Sequence, residues 1–192
     1  MPADHSSLQP ADPRRADLFA AAVLAVLAAA LAWGWFRIGP DQPVYGLVVV
    51  AGTFAAGPAL GNPIERRVPA RWFRVPGGER MLHRVLGVAA FGRLLERSGW
   101  NRAVADPMRD FDGTRAGLSS LDRSLRGNVS AHGACFVVHV ALAVLAVATG
   151  HLPGALWILL PGVVVHLYPV MLGRSVALRL QRLRDRLPPR RP

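Results

Sequence analysis

Hydrophobic and polar positions in this chain are segregated into long blocks rather than alternating residue by residue. Four apolar blocks stand out. The first, LFAAAVLAVLAAALAWGWF at 18–36, runs 19 residues without a charge, close to the length that crosses a hydrocarbon core. The second, VYGLVVVAGTFAAGPAL at 44–60, has 17 residues and is interrupted by Gly52, Gly57 and Pro58. The third and fourth occupy 131–150 and 152–172. The last three blocks contain small or polar residues, which a spanning helix tolerates where it faces protein. Short links around RIGPDQP and at His151 join the blocks into two helical hairpins, 18–60 and 131–172. The pattern predicts an all-α, multi-pass integral membrane protein with about four transmembrane helices. A cleaved signal peptide is the alternative for the first block. The block exceeds a usual signal h-region and lacks a neat small-x-small cut site before residue 40, so it reads as a retained span.

Three polar segments remain: a flexible N-terminal segment at 1–17, a central region at 61–130 and a tail at 173–192. Within the central region, ERMLHRVLGVAAFGRLLERSGW predicts an amphipathic helix over 79–98. Leu82, Val85, Leu86, Ala89 and Phe91 form one apolar side, continued by Leu94 and Leu95. Arg80, His83, Arg84, Gly87 and Arg97 lie mostly away from it. Such a helix lies in the headgroup boundary, and Trp72, Phe73 and Trp100 flank it as interfacial aromatics do. A helix packed on the ends of the bundle gives the same pattern, and the two placements are compatible.

Charge orients this layout. All 23 basic residues are arginine, and the net charge is +11. The central region holds 13 arginines against seven acids, and the tail seven against one. The two short links hold a single arginine between them. The positive-inside rule therefore places both termini and the central region in the cytoplasm. The arginines sit between apolar blocks rather than among stacking aromatics, which favours anionic headgroups over nucleic acid. Cys135 is the only cysteine, so no intrachain disulfide is possible.

The candidate chemistry lies inside the spans. His132, Cys135 and His139 fall at i, i+3 and i+7 on one helix face. About 10 Å of helical rise separates the first from the last, too far for all three to bind one ion. Two of them with His166 would suit a metal; a plain buried polar seam is the bland alternative. A catalytic or substrate-binding role for His132 or His166 is the third possibility, since intramembrane ionisable groups are functional candidates. Arg126 and His132 lie at the cytoplasmic mouth of the third helix, and Arg174 just beyond the fourth. His166 lies about two turns inward of Arg174. A neutral imidazole can take a proton from an attacking hydroxyl, and arginine can hold a phosphate, a carboxylate or an oxyanion. This grouping suits acyl transfer or head-group chemistry on a lipid-shaped substrate.

In VVVHLYPVMLGRS, Pro169 is expected to distort the helix and free the carbonyl of residue 165, while Tyr168 suits the border of hydrocarbon and headgroups. In DPMRDFDGTR, Asp106, Asp110 and Asp112 form a possible Mg²⁺ site. Arg109 and Arg115 are near enough to neutralise them, and the segment reads as a solvated loop. There is no G-x-S-x-G elbow, H-x4-D pair, P-loop or dinucleotide fingerprint.

Four stretches carry a resemblance: HRVLGVAAFGRLLERSGW, GTRAGL, SLRGNVSAHG and HLYPVMLGRSVALRLQRL. In that order they resemble the characteristic blocks of the glycosyl-4,4'-diaponeurosporenoate acyltransferase family of bacterial carotenoid biosynthesis. The resemblance covers about residues 72–184. It implies a small multi-pass protein of the bacterial cell membrane that esterifies the sugar of a carotenoid glucoside with a fatty acyl group. Leu86, Gly87 and Val88 match the first block, His132 the second, Tyr168 and Pro169 the third, and Arg174 and Arg179 its basic exit. Four positions depart from the pattern. Val129 stands in place of a glutamate, His166 of an asparagine, Gly173 of a glutamine and Ser175 of an aromatic residue. Without the glutamate, His132 lacks a carboxylate partner for acid-base work.

Together these readings name His132, His166 and Arg174 as catalytic candidates. Arg126, Tyr168 and Arg179 are the substrate-binding candidates. No metal or cofactor is implied. The expected partners are the lipid membrane, a lipid-like or glycolipid acceptor, an acyl donor and other membrane enzymes of the pathway, with no nucleic acid. The alternative is a non-catalytic membrane scaffold in pigment or envelope biosynthesis.

Overall fold

Asp12 opens the first helix by accepting the backbone N–H of Arg14 (3.0 Å), with Pro13 in the first turn where its missing N–H costs nothing. The computed structural model describes residues 12–100, 102–103, 114 and 117–186. Its elements, in chain order, are α1 (Pro13–Arg37), α2 (Pro43–Glu65), a 3₁₀ turn (Ala70–Phe73), α3 (Glu79–Val85) and α4 (Val88–Arg97). There follow α5 (Leu118–Ala148), α6 (Leu152–Gly162), a π-helical turn (Val163–Leu167) and α7 (Tyr168–Arg186). No strand occurs among the described residues. Four helical rods are long and apolar enough to cross a membrane: α1, α2, α5 and the continuous rod Leu152–Arg186. The chain is a multi-pass, all-α membrane protein. The acidic cluster of Asp106, Asp110 and Asp112 lies outside the described residues.

Two helices run further than their apolar blocks. α5 begins at Leu118, well before residue 131, and its 31 residues span about 46 Å against a core of about 30 Å. Its polar extension has its own apolar stripe of Leu118, Leu121, Leu125 and Val129 at helical spacing, with Leu125 buried. The expected tail from 173 is likewise helical as far as Arg186. The single helix expected over 79–98 is two helices. Gly87 breaks it with φ +67°, in the left-handed region that other residues enter only under strain.

α2 is the hub of the bundle, packed on α1, α5 and α6, while α5 also packs on α6 and α7. The α2–α5 crossing is backbone to backbone at Gly61: a Cβ there would lie 2.7 Å from the carbonyl oxygen of Gly127. Small residues at such crossings let spanning helices approach closely. Large apolar side chains point outward instead, among them Leu18, Phe19, Val26, Trp33, Val137, Val144 and Leu160. An outward apolar belt of this extent is a lipid-facing surface rather than a scatter of surface residues.

Polar contacts lock both ends of the bundle. At the short links, Asp41 receives His151 Nδ1 (2.6 Å) and the N–H of Gly154 (3.0 Å), which ties the two hairpins together. At the opposite end, Asp17 pairs with Arg66 and Arg67, each at 2.6 Å.

A histidine chain beneath an arginine-lined cleft

The π turn is a consequence of Pro169. Proline has no N–H, so the carbonyl of Val165 loses its α-helical partner. The helix widens upstream, and Tyr168 N–H bonds to Val163 O, five residues back. His166 lies inside the widened turn and is almost fully buried. π turns of this kind recur at functional sites.

His166 links two other histidines. Its Nδ1 lies 3.1 Å from His132 Nδ1. Its Nε2 lies 3.0 Å from Thr53 Oγ1, which in turn lies 3.2 Å from His139 Nε2. His139 Nδ1 ends the chain by donating to Ile158 O (2.7 Å). The His139 ring fits because Gly162 has no side chain; a Cβ there would lie 2.5 Å from the ring. Thr53, His139 and His166 are fully enclosed, whereas His132, at the outer end, is partly exposed. Cys135 stays outside the chain and donates its thiol to Thr53 O (3.2 Å). The ring nitrogens point at one another and at Thr53, not at a common centre. Among the described residues no cluster of His, Cys, Asp or Glu is arranged to hold a metal ion.

One turn from His132, Val129 lines a small cleft together with Phe73, Asp122, Leu125, Arg126 and Arg174. Arg126 donates to Asp122 (2.8 Å) and lies over the Phe73 ring, 5.4 Å from its centre. Its Nε is buried without a partner. Arg184 adds a second cation to Asp122 (3.2 Å). Arg174 is engaged on every nitrogen: Nε and Nη2 grip the Glu79 carboxylate, and Nη1 donates to Trp72 O (3.0 Å). The Arg174 guanidinium holds the Glu79 carboxyl below the usual carboxylate range. This clamp fixes the segment before α3 and the start of α3 against α7.

The remaining sequence candidates lie apart from this group. Tyr168 donates its hydroxyl to Leu86 O (3.0 Å) and packs its ring on Phe91, 5.0 Å between centres, fastening α7 to the α3–α4 junction. Arg179 is exposed and does not line the cleft. Thr53 was not among the candidates. Its only signal in the sequence is a lone hydroxyl within VVVAGTFAAG, and a spanning threonine ordinarily bonds back to its own helix. It does so here too, to Val49 O (2.8 Å) and Val50 O (3.1 Å).

Two of the four departures from the family pattern, Val129 and Gly173, meet in space. A Cβ on Gly173 would come within 2.8 Å of Val129 Cγ2, so these two positions pack on each other. His166 is bonded to His132. The sequence profile of glycosyl-4,4'-diaponeurosporenoate acyltransferase matches residues 69–186, the segment that holds the cleft, His132 and His166. The chain belongs to that family. Thr53 lies outside the matched segment, so in this member of the acyltransferase family the hairpin α1–α2 supplies the link between the histidines. No curated protein and no solved structure matches the chain.

Proposed function

We propose that this chain is a membrane acyltransferase that moves a fatty acyl group to a hydroxyl of a glycosylated carotenoid or a similar lipid. One observation carries the proposal. The partly exposed end of the histidine chain, His132, lies one helical turn from a cleft lined by arginine and apolar side chains, in a chain of this acyltransferase family. His132 takes the proton of the acceptor hydroxyl as its oxygen attacks the acyl carbonyl. The new ester C–O bond forms and the bond from the acyl carbon to the donor's sulfur or oxygen breaks. The same proton then goes to the departing thiolate or alkoxide. Arg126 holds the developing oxyanion or a phosphate of the donor through its unpartnered Nε. Arg174 positions the cleft wall from its clamp on Glu79.

The active face lies in the cytoplasmic leaflet of a bacterial cell membrane, with both termini cytoplasmic. The exposed apolar side of α3 and α4, with Met81, Leu82, Val85 and Leu94, rests in the headgroup boundary. Other membrane enzymes of the same pathway deliver the lipid acceptor.

Lipid and pigment mass spectrometry of cells with and without the chain tests this. A mass difference of one fatty acyl group is expected. His132→Ala is expected to lower that product at least a hundredfold, as removal of a positioned base does, while the protein still accumulates in the membrane. Unchanged product from His132→Ala would overturn the mechanism. A non-catalytic scaffold has one observation in its favour, the full engagement of Arg174. It predicts no acyl mass difference, and loss of co-purifying partners when the exposed face of α3 and α4 is made polar.

A further inference from the structure

We infer that α3 and α4 draw the cytoplasmic headgroup layer inward, holding lipid phosphates on Arg93 and Arg97 at the depth of His132. Contacts at both ends of α4 set that depth. Phe54 stands midway along α2 (Pro43–Glu65), about 16 Å inward of Glu65 at the rise of an α-helix. The ring of Trp100, just beyond α4, packs on Phe54 with 6.1 Å between centres. Leu86 O, just before α4, takes the Tyr168 hydroxyl (3.0 Å). Tyr168 lies about 9 Å inward of Arg174 along α7 and close in sequence to His166, which reaches His132. Both ends of α4 are therefore level with the histidines, not with the helix ends that Asp17, Arg66 and Arg67 fasten.

The side of α4 turned toward the bundle is apolar. Val88 is buried, Phe91 packs on Tyr168 (5.0 Å) and Gly92 faces Leu172. Ala90, Arg93 and Arg97 follow one another at helical spacing on the opposite side, and all three are exposed. Among the described residues the arginine ion pairs use Arg66, Arg67, Arg126, Arg174 and Arg184, so Arg93 and Arg97 have no acidic partner there. Like charges one turn apart repel, and an unpaired guanidinium at this depth is costly. A lipid phosphodiester between the two removes both penalties. It is the anion a membrane supplies, and arginine grips it with paired N–H bonds.

Exposed Leu82, Val85 and Leu94 hold α3 and α4 against acyl chains, so the boundary of headgroups and hydrocarbon passes through these two helices. Around α1 it lies nearer the cytoplasm. Leu24 is at the depth of Phe54, one turn from Leu27, which meets Gly52. Beyond Leu24, toward the cytoplasmic end, α1 still exposes Leu18 and Phe19. The headgroup layer is thus stepped around the molecule. A lowered boundary brings a headgroup hydroxyl to His132 without carrying it through hydrocarbon. That use rests on the acyl-transfer function proposed above; the step itself rests on geometry and charge.

Power-saturation EPR of the full chain tests the step. A spin label is attached at Ala90→Cys or Leu24→Cys on a Cys135→Ser background, in nanodiscs of phosphatidylglycerol. The label at Ala90 is expected to collide mainly with a water-soluble nickel chelate, and the label at Leu24, at equal depth, mainly with oxygen. Changing Arg93→Gln and Arg97→Gln together should invert the ratio at Ala90 and leave Leu24 as it was, which also shows that the bundle is still inserted. Nanodiscs of a phosphate-free, uncharged galactolipid should invert it likewise, with or without added inorganic phosphate. An oxygen-dominated label at Ala90 in the parent protein would overturn the inference. So would a nickel-dominated label that survives both glutamines, since a tilt of the whole bundle would then set the boundary. Recovery by inorganic phosphate in the galactolipid would make the ligand a free ion rather than a lipid and overturn it too. If the labels behave as expected but the glutamine variant keeps full acyl product, the step stands and its link to acyl transfer fails.

Discussion

At the scale of single residues, the site depends on what is missing as much as on what is present. Pro169 withholds an N–H, the helix widens, and His166 comes to lie where it reaches both His132 and Thr53. Gly162 withholds a side chain, and the His139 ring occupies the space. Gly162→Ala would set a methyl 2.5 Å from that ring. It is expected to destabilise the protein by about 1–3 kcal/mol through overpacking and to break the His139 bond to Thr53. Thermal unfolding in detergent and the His139 ring ¹⁵N shifts would show this; an unshifted midpoint with an unmoved ring would contradict it. His132 and His166 were legible as candidates because ionisable groups within apolar blocks are few. Their partner was not. Thr53 is indistinguishable in sequence from any threonine bonded to its own helix, and only the crossing of α2 with α5 and the π turn brings it between two imidazoles.

At the scale of elements, the main revision concerns the polar region. The amphipathic stretch was visible from its apolar spacing. Its division at Gly87 was not, because a glycine inside a helical pattern is often simply tolerated. The side that faces the bundle differs from the apolar side read from the spacing, which places His83 on the polar side. Val88 and His83 turn inward, while Leu82, Val85 and Leu94 stay exposed. The start of α3 is held by the Glu79–Arg174 pair, and the pH dependence follows from its sign. Glu79 titrates below its ordinary value of 4.5 in the folded protein. The stabilisation is therefore complete above that value and is lost as pH falls through the lower folded value. Acidification into this range is expected to speed amide hydrogen exchange in α3 while α5 stays protected. Glu79→Gln should produce the same opening at neutral pH, at a cost of about 1–2 kcal/mol for a charge-assisted bond. Equal protection of α3 in both proteins would argue against the clamp.

At the scale of the whole molecule, the two ends of the bundle are expected on opposite sides of the membrane. On a Cys135→Ser background, cysteine placed at Gly77, where no neighbour lies within 4 Å, should react only with a reagent that reaches the cytoplasm. Cysteine at the exposed Gln42 should react from outside. The opposite labelling would reverse the orientation and move the cleft to the other leaflet. The sequence by itself determined the class of protein, the four crossings and the family. Each of these depends on local quantities: block length, charge placement, or residue types at fixed spacing. The tertiary structure alone decided that Arg174 is a clamp, that Tyr168 is a fastener, that Val129 and Gly173 pack together, and that three histidines and a threonine form one hydrogen-bond chain. Those outcomes depend on contacts between helices far apart in sequence, up to 113 residues in the chain. Neither periodicity nor composition carries information about which faces of those helices meet.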